Sequence, residues 1–270
     1  MSNVAPHLQL SPRGVRFEPL TAGGVPAAWV IPEGADSGRV ILYLHGGGYV
    51  IGSIRSHRKM VARMAIAARC RALMIDYRLA PEHKFPAAVD DAVEAYRWLL
   101  AEGYEPGKIV IAGDSAGGGL TAAALVALRD SGDPMPAAAV MLSPWADLEV
   151  IGESARTRAR KDPLVTVRGL RDWAGLYVGH ADLKHPLASP IYADLKGLPP
   201  MLIHVGTSEI LLDDSVRLAE RARQGGVAVE LDVWDDMYHV WHFFSPLVPE
   251  SARAVDRLGD YCRSQMGEKV

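Results

Sequence analysis

The stretch KIVIAGDSAGGG, residues 108–119, reads as a strand that runs directly into a helix through a turn of small residues. Residues 109–112 form a short continuous apolar run, the pattern of a strand buried on both faces. From Ala116 the spacing of apolar residues turns helical. Between the two, Gly113-Asp114-Ser115-Ala116-Gly117 matches G-x-S-x-G, in which a serine occupies a strained strand-to-helix turn and its flanking glycines let strand and helix pack closely. A Ser115 hydroxyl held there would stand above a sheet at a helix N-terminus, where the helix dipole favours developing negative charge. With 26 glycines in 270 residues, a glycine-rich turn that binds nothing is the competing reading. The position of the match between strand and helix is what gives it weight.

The same alternation of short apolar runs and longer amphipathic stretches extends on both sides, which predicts an α/β class built on a mostly parallel sheet flanked by helices. Strands are expected over 40–44, 72–76, 109–112, 138–142, 201–205 and 229–233. Ahead of them, 14–20 and 25–31 read as an antiparallel pair joined across 21–24, with Gly23 and Gly24 supplying the turn. Helices are expected over 56–68, 87–102, 116–130, 168–178, 213–224 and 249–266, with Pro86 opening the second and Gly225-Gly226 closing the fifth. The segment 148–195 mixes charge, prolines and one helix between two core strands, and is expected to be an insertion over one end of the sheet. The length, 270 residues, fits one domain over 1–270.

His45-Gly46-Gly47-Gly48-Tyr49 follows the strand expected at 40–44. Such a loop can aim backbone N–H groups at an oxygen that becomes an alkoxide, a charge that needs two or three fixed donors. The candidates are Gly47, Gly48 and Ala116, with His45 an anchor for the loop. A serine hydroxyl also needs a base to take its proton. Nucleophile, acid and base follow in that chain order in this arrangement, which excludes His7, His45, His57 and His83 among nine histidines. His180 and His185 fall in the insertion and His204 inside a buried strand. His239, in the loop leaving the strand at 229–233, is favoured over His242, and His239-x-x-His242 lacks a third ligand for a metal. The acid that orients the base should follow the preceding strand, where Glu209 stands first; Asp213, the main rival, reads as a cap of the next helix.

Composition narrows the partners. A net charge of −3 without long runs of one sign gives nothing to follow a nucleic-acid backbone or an anionic membrane. No apolar stretch approaches the length of a membrane span, and the N-terminus lacks the pattern of a secretory signal, so a cytoplasmic location is expected. Cys70 and Cys262 lie far apart and read as free thiols. Neither a metal nor a cofactor is called for.

Three motifs together resemble the bacterial hormone-sensitive-lipase-like esterases of the α/β-hydrolase fold: His45-Gly46-Gly47-Gly48-Tyr49, Asp76-Tyr77-Arg78-Leu79-Ala80-Pro81-Glu82-His83 with Phe85-Pro86-Ala87-Ala88, and Gly113-Asp114-Ser115-Ala116-Gly117-Gly118. The resemblance covers the chain from about residue 39 to the end. It implies a triad of Ser115, Glu209 and His239, oxyanion donors at Gly47, Gly48 and Ala116, a bracing role for Tyr77 to His83, and a small-molecule ester as substrate. Short-chain acyl esters are expected over long ones. Lactones or amides are the rival substrates, an acyl transferase or a non-catalytic ligand receptor the rival functions, and pairing of sheet edges would give a homodimer. Such enzymes usually carry an N-terminal helical cap, whereas here only about 45 residues precede the glycine loop. A reduced cap is therefore expected, with the 148–195 insertion as roof and Trp145, Trp173 and Trp241 each either pocket lining or core.

Overall fold

The computed structural model describes residues 12–268. Its centre is one eight-stranded sheet of order β1-β2-β4-β3-β5-β6-β7-β8. β1 (Val15–Ala22) and β2 (Val25–Pro32) form an antiparallel hairpin whose Ala22 and Val25 pair across a two-residue turn. Gly23 and Gly24 both have positive φ, 58° and 86°, the requirement of a turn whose twist matches its flanking strands. β2 then pairs antiparallel with β4 (Cys70–Ile75). The remaining strands, β3 (Asp36–Leu44), β5 (Ile109–Asp114), β6 (Ala138–Leu142), β7 (Met201–Gly206) and β8 (Val229–Trp234), run parallel to β4 and to one another.

The burial of each strand follows from its place. β5, β6 and β7 lie inside the sheet and are buried at every residue, so they tolerate apolar side chains on both faces. β1 and β8 are the edges and alternate or stay half exposed. One face is covered by α2 (Ala87–Ala101), α3 (Ala116–Asp130) and α6 (Leu212–Gln224), whose residues share a core with Leu42, Leu73, Ile111 and Ile203. The other carries α1 (Ile54–Ala67) and α7 (Pro249–Gln265), packed on Ile41, Ala72, Val110 and Val140.

The expected elements are all present, with ends displaced by a few residues, and α3 and β6 have the predicted bounds. One short helix, α4 (Glu153–Thr157), was not expected from its charged sequence. Helix α5 (Val167–Val178) is the helix predicted in the insertion. The expectation of a reduced N-terminal cap bears partly on residues 1–11, which lie outside the described residues. Cys70 and Cys262 are both buried free thiols.

The parallel arrangement places five connections at one end of the sheet. The chain leaves β3 into the glycine loop, β5 into Ser115, β6 into Ser143, β7 towards Glu209 and β8 towards His239. Crevices outside the carboxyl ends of parallel strands are where open α/β sheets form their sites.

Candidate active site

Ser115 has φ 53° and ψ −121°, outside the regions non-glycine residues ordinarily occupy. The strain is held by the backbone around it. Its N–H donates to the carbonyl of Leu142 at 2.8 Å, and its carbonyl accepts from Trp145 at 2.9 Å and from Gly119 at 3.1 Å. A Cβ on Gly113 or Gly117 would run into backbone, which is why the motif needs glycine at both positions. Ser115 is the least buried residue of the turn, with Asp114 and Ala116 both enclosed.

Glu209 and His239 are brought together. His239 Nδ1 and Glu209 Oε2 lie 2.8 Å apart, and both side chains are buried. The other carboxylate oxygen, Oε1, accepts from the Gly206 N–H at 2.7 Å and from the Ser143 hydroxyl at 2.8 Å. Burial opposes a charge on His239, but the hydrogen bond and charge of Glu209 outweigh it and hold the imidazole pKa above its ordinary 6.5. No hydrogen bond joins the Ser115 hydroxyl to His239 among the described residues.

The rivals are engaged elsewhere. Asp213 accepts from the Ser154 N–H at 2.8 Å, and its own N–H donates to the Ser154 hydroxyl, so it fastens α4 to α6. Leu211, not Asp213, is the residue that precedes the first turn of α6. His242 faces His204 across 3.1 Å between Nε2 and Nδ1, deep in the structure. Burial first, then the neighbouring His204, push the His242 pKa well below 6.5. His204 Nε2 in turn sits 3.3 Å from an Asp232 carboxylate oxygen. His83, His180 and His185 are exposed.

The glycine loop is held from several sides. Gly46 N–H donates to Asp114 Oδ1 at 3.0 Å, the same oxygen that accepts from the Tyr43 hydroxyl at 2.7 Å, and His57 Nε2 lies 3.3 Å from Oδ2. Asp114 therefore ties the loop directly to the turn carrying Ser115. His45 accepts a stacked Tyr77 ring at 4.2 Å, and the Tyr77 hydroxyl donates to the His45 carbonyl at 2.7 Å, so the segment after β4 does brace the loop. Burial and the adjacent His57 lower the His45 pKa to about 4, consistent with a neutral anchor. Gly47 and Gly48 have φ 123° and 61°, and a Cβ on Gly48 would overlap the Trp173 ring of α5. Among the described residues, the N–H groups of Gly47, Gly48 and Ala116 donate to no protein acceptor.

The tryptophans divide. Trp145 and Trp241 are fully buried, which decides for core packing over pocket lining at both. Trp173 is half buried and lies against Gly48, as a lining residue would. A cavity of about 660 Å³ opens elsewhere, between Trp29, Arg71, Trp98 and Tyr104 near the starts of the parallel strands, and contains none of these groups.

The comparisons with known proteins agree with this geometry. The family described as alpha/beta hydrolase fold matches residues 41–243, which include the glycine loop, Ser115, Glu209 and His239. The chain belongs to that family. It is 49% identical over 249 residues to an acetyl-hydrolase of Streptomyces hygroscopicus, covering 92% of this chain and 83% of the relative. A crystal structure of an esterase from the bacterial hormone-sensitive lipase family superposes with a TM-score of 0.97 at 53% identity, covering 98% of this chain and 89% of that one. EstE5, in a crystal soaked with p-nitrophenyl butyrate, gives 0.93 at 52% identity, over 95% and 87%. This α/β hydrolase is thus a carboxylic ester hydrolase of the hormone-sensitive-lipase-like group.

Two parts of the site escaped the sequence. Ser143 follows β6, the strand beside the one that carries Ser115, and a polar residue directly after such a strand was the available signal. The link from Asp114 to Gly46 joins residues 68 apart and carries no local pattern.

Proposed function

We propose that this enzyme hydrolyses short-chain acyl esters through an acyl-enzyme, with Ser115 as nucleophile, His239 as general base and acid, and Glu209 as the group that orients His239 and stabilises the imidazolium it becomes. The observation that carries the reading is the buried contact of 2.8 Å between His239 Nδ1 and Glu209 Oε2, which leaves Nε2 as the nitrogen available to Ser115. In the first step Ser115 Oγ attacks the ester carbonyl as its proton passes to His239 Nε2. The oxyanion collapses, the bond to the alcohol oxygen breaks and His239 returns the proton to the leaving alcohol. Water then repeats the sequence on the acyl-enzyme, releasing the acid and Ser115.

The N–H groups of Gly47, Gly48 and Ala116 are the donors for the oxyanion, and their freedom from protein acceptors supports the role. Glycine at 47 and 48 supports it further, because both residues have positive φ, a conformation that glycine adopts without steric cost. The Trp173 ring against Gly48 leaves little room beside that donor, which supports a preference for small acyl groups. The name of the Streptomyces relative and the butyrate ester used with EstE5 describe those proteins, and both point the same way.

Hydrolysis of p-nitrophenyl esters from acetyl to dodecanoyl tests the reading. Activity should peak at short chains and collapse in folded Ser115→Ala, Glu209→Ala and His239→Ala variants. Full activity in any folded variant, or a maximum at long chains, would contradict it.

A further inference from the structure

Ser143 sits at the junction of all three groups. Its segment follows β6, and the residues before and after it hold the backbone of Ser115, through the Leu142 carbonyl at 2.8 Å and the Trp145 N–H at 2.9 Å. The Ser143 hydroxyl donates to Glu209 Oε1 at 2.8 Å and accepts from the N–H of Val240, the residue after His239, at 3.2 Å. Its own N–H donates to the His204 carbonyl at 2.8 Å in β7, the strand that leads to Glu209. The side chain is fully buried and the residue has φ 48°, a conformation an L residue occupies at a cost. A hydroxyl here is the one small group that can donate to a carboxylate and accept from an amide at once.

We propose that Ser143 is a positioning residue for the ester hydrolysis, fixing the Glu209 carboxylate and the His239 loop in one frame with the turn that carries Ser115. The inference rests on the triad reading above. Glu209 orients His239 through one oxygen; the other is held by Ser143 and the Gly206 N–H. Removing the hydroxyl takes away half of that hold and strands the buried Val240 N–H, so both the acid and the loop of the base are free to shift. The bond formation itself does not involve Ser143, because its proton is already given to Glu209.

Ser143→Gly deletes the hydroxyl and suits the positive φ, and Ser143→Ala deletes it while keeping a stiffer chain. Kinetics are read per active site, counted by the burst of an acylating ester, with melting temperature measured alongside. The expected result in a folded variant is a fall in kcat of roughly 10- to 100-fold at unchanged KM, with the acid limb of the pH profile moved to lower pH as Glu209 loses its grip on His239. A hydroxyl that only filled space would change the melting temperature and leave both kinetic features alone. A folded variant in which either kcat or the acid limb matches the wild type overturns the proposal. Failure of the triad reading shows separately, as undiminished turnover by folded Ser115→Ala.

Discussion

The two sides of Ser115 are built on different physics. On the side of β3, the glycine loop is shaped by exclusion: positive φ at Gly47 and Gly48, no room for a Cβ, and one aromatic ring from α5 laid against the chain. On the side of β7 and β8, the loops are shaped by attraction between buried polar groups, with Ser143, Glu209, His239 and the N–H groups of Gly206 and Val240 each satisfied by another. The first side offers preorganised donors that need no titration. The second holds a charge whose protonation state is set by its neighbours. A change on the glycine side should therefore alter turnover without altering its pH dependence, and a change on the polar side should alter both.

The largest contrast is expected from Glu209→Gln, which keeps size but removes the charge. It should lower kcat by roughly 10⁴-fold, as removal of the orienting carboxylate does in related chemistry. The sign of the pH effect follows from the His239 pKa, now held above 6.5 mainly against burial by Glu209. His239 accepts a proton only when neutral, so the wild-type rate falls as pH drops through that raised value. In the variant the residual kcat/KM should fall at lower pH, as a pH–rate profile will record.

Gly48→Ala strikes the other side. Its Cβ overlaps the Trp173 ring, and φ 61° is costly for alanine, so the loop must move and a donor is displaced. The expected loss in kcat is about 10²- to 10³-fold, the range for one oxyanion donor, with the acid limb unmoved. Adding Trp173→Ala makes room for the methyl group and should restore part of the rate. Steady-state kinetics on the single and double variants check both statements.

Asp114→Ala removes the tie between the glycine loop and the turn that carries Ser115. It leaves the Gly46 N–H and the Tyr43 hydroxyl without their shared acceptor, which should cost about 1–3 kcal/mol in unfolding by urea and a smaller loss of rate than Gly48→Ala. The smallest effect on turnover is expected at Asp214, where the change is one of stability with pH. Asp214, buried against Asp147 and accepting the N–H groups of Ala146 and Asp147, has its pKa raised from 3.8 to about 8, by burial first and then by the charge of Asp147. A raised carboxyl pKa gives stability that is complete below the unfolded value and is lost as pH rises through about 8. Melting temperature should therefore decline across that interval, and Asp214→Asn should flatten the decline.

The sequence was legible where local pattern and chemistry coincide. Continuous apolar runs exposed the inner strands because β5 to β7 have two buried faces, and the G-x-S-x-G turn and three successive glycines marked the ends of β5 and β3. Glu209 and His239 stand out as candidates because each closely follows a strand whose end is readable. The polar frame was less legible, since Ser143 meets Glu209 and Val240 across 66 and 97 residues and a lone serine after a strand has many ordinary uses. Trp145 and Trp241 stayed open between lining and core for the same reason: aromatic composition does not say which side of a loop faces the core. α4 was unreadable because its five residues, Glu153 to Thr157, are charged and small and take their order from the Ser154 contacts with α6.

The central claim is that Ser115 is the acylated nucleophile. The direct measurement is covalent labelling with a sulfonyl fluoride, followed by the mass of the intact protein and mapping of the modified peptide. One adduct per chain is expected, located on Ser115, formed in step with loss of esterase activity and absent from folded Ser115→Ala. An adduct on another residue that tracks the loss of activity, or full inactivation with Ser115 unmodified, would contradict it.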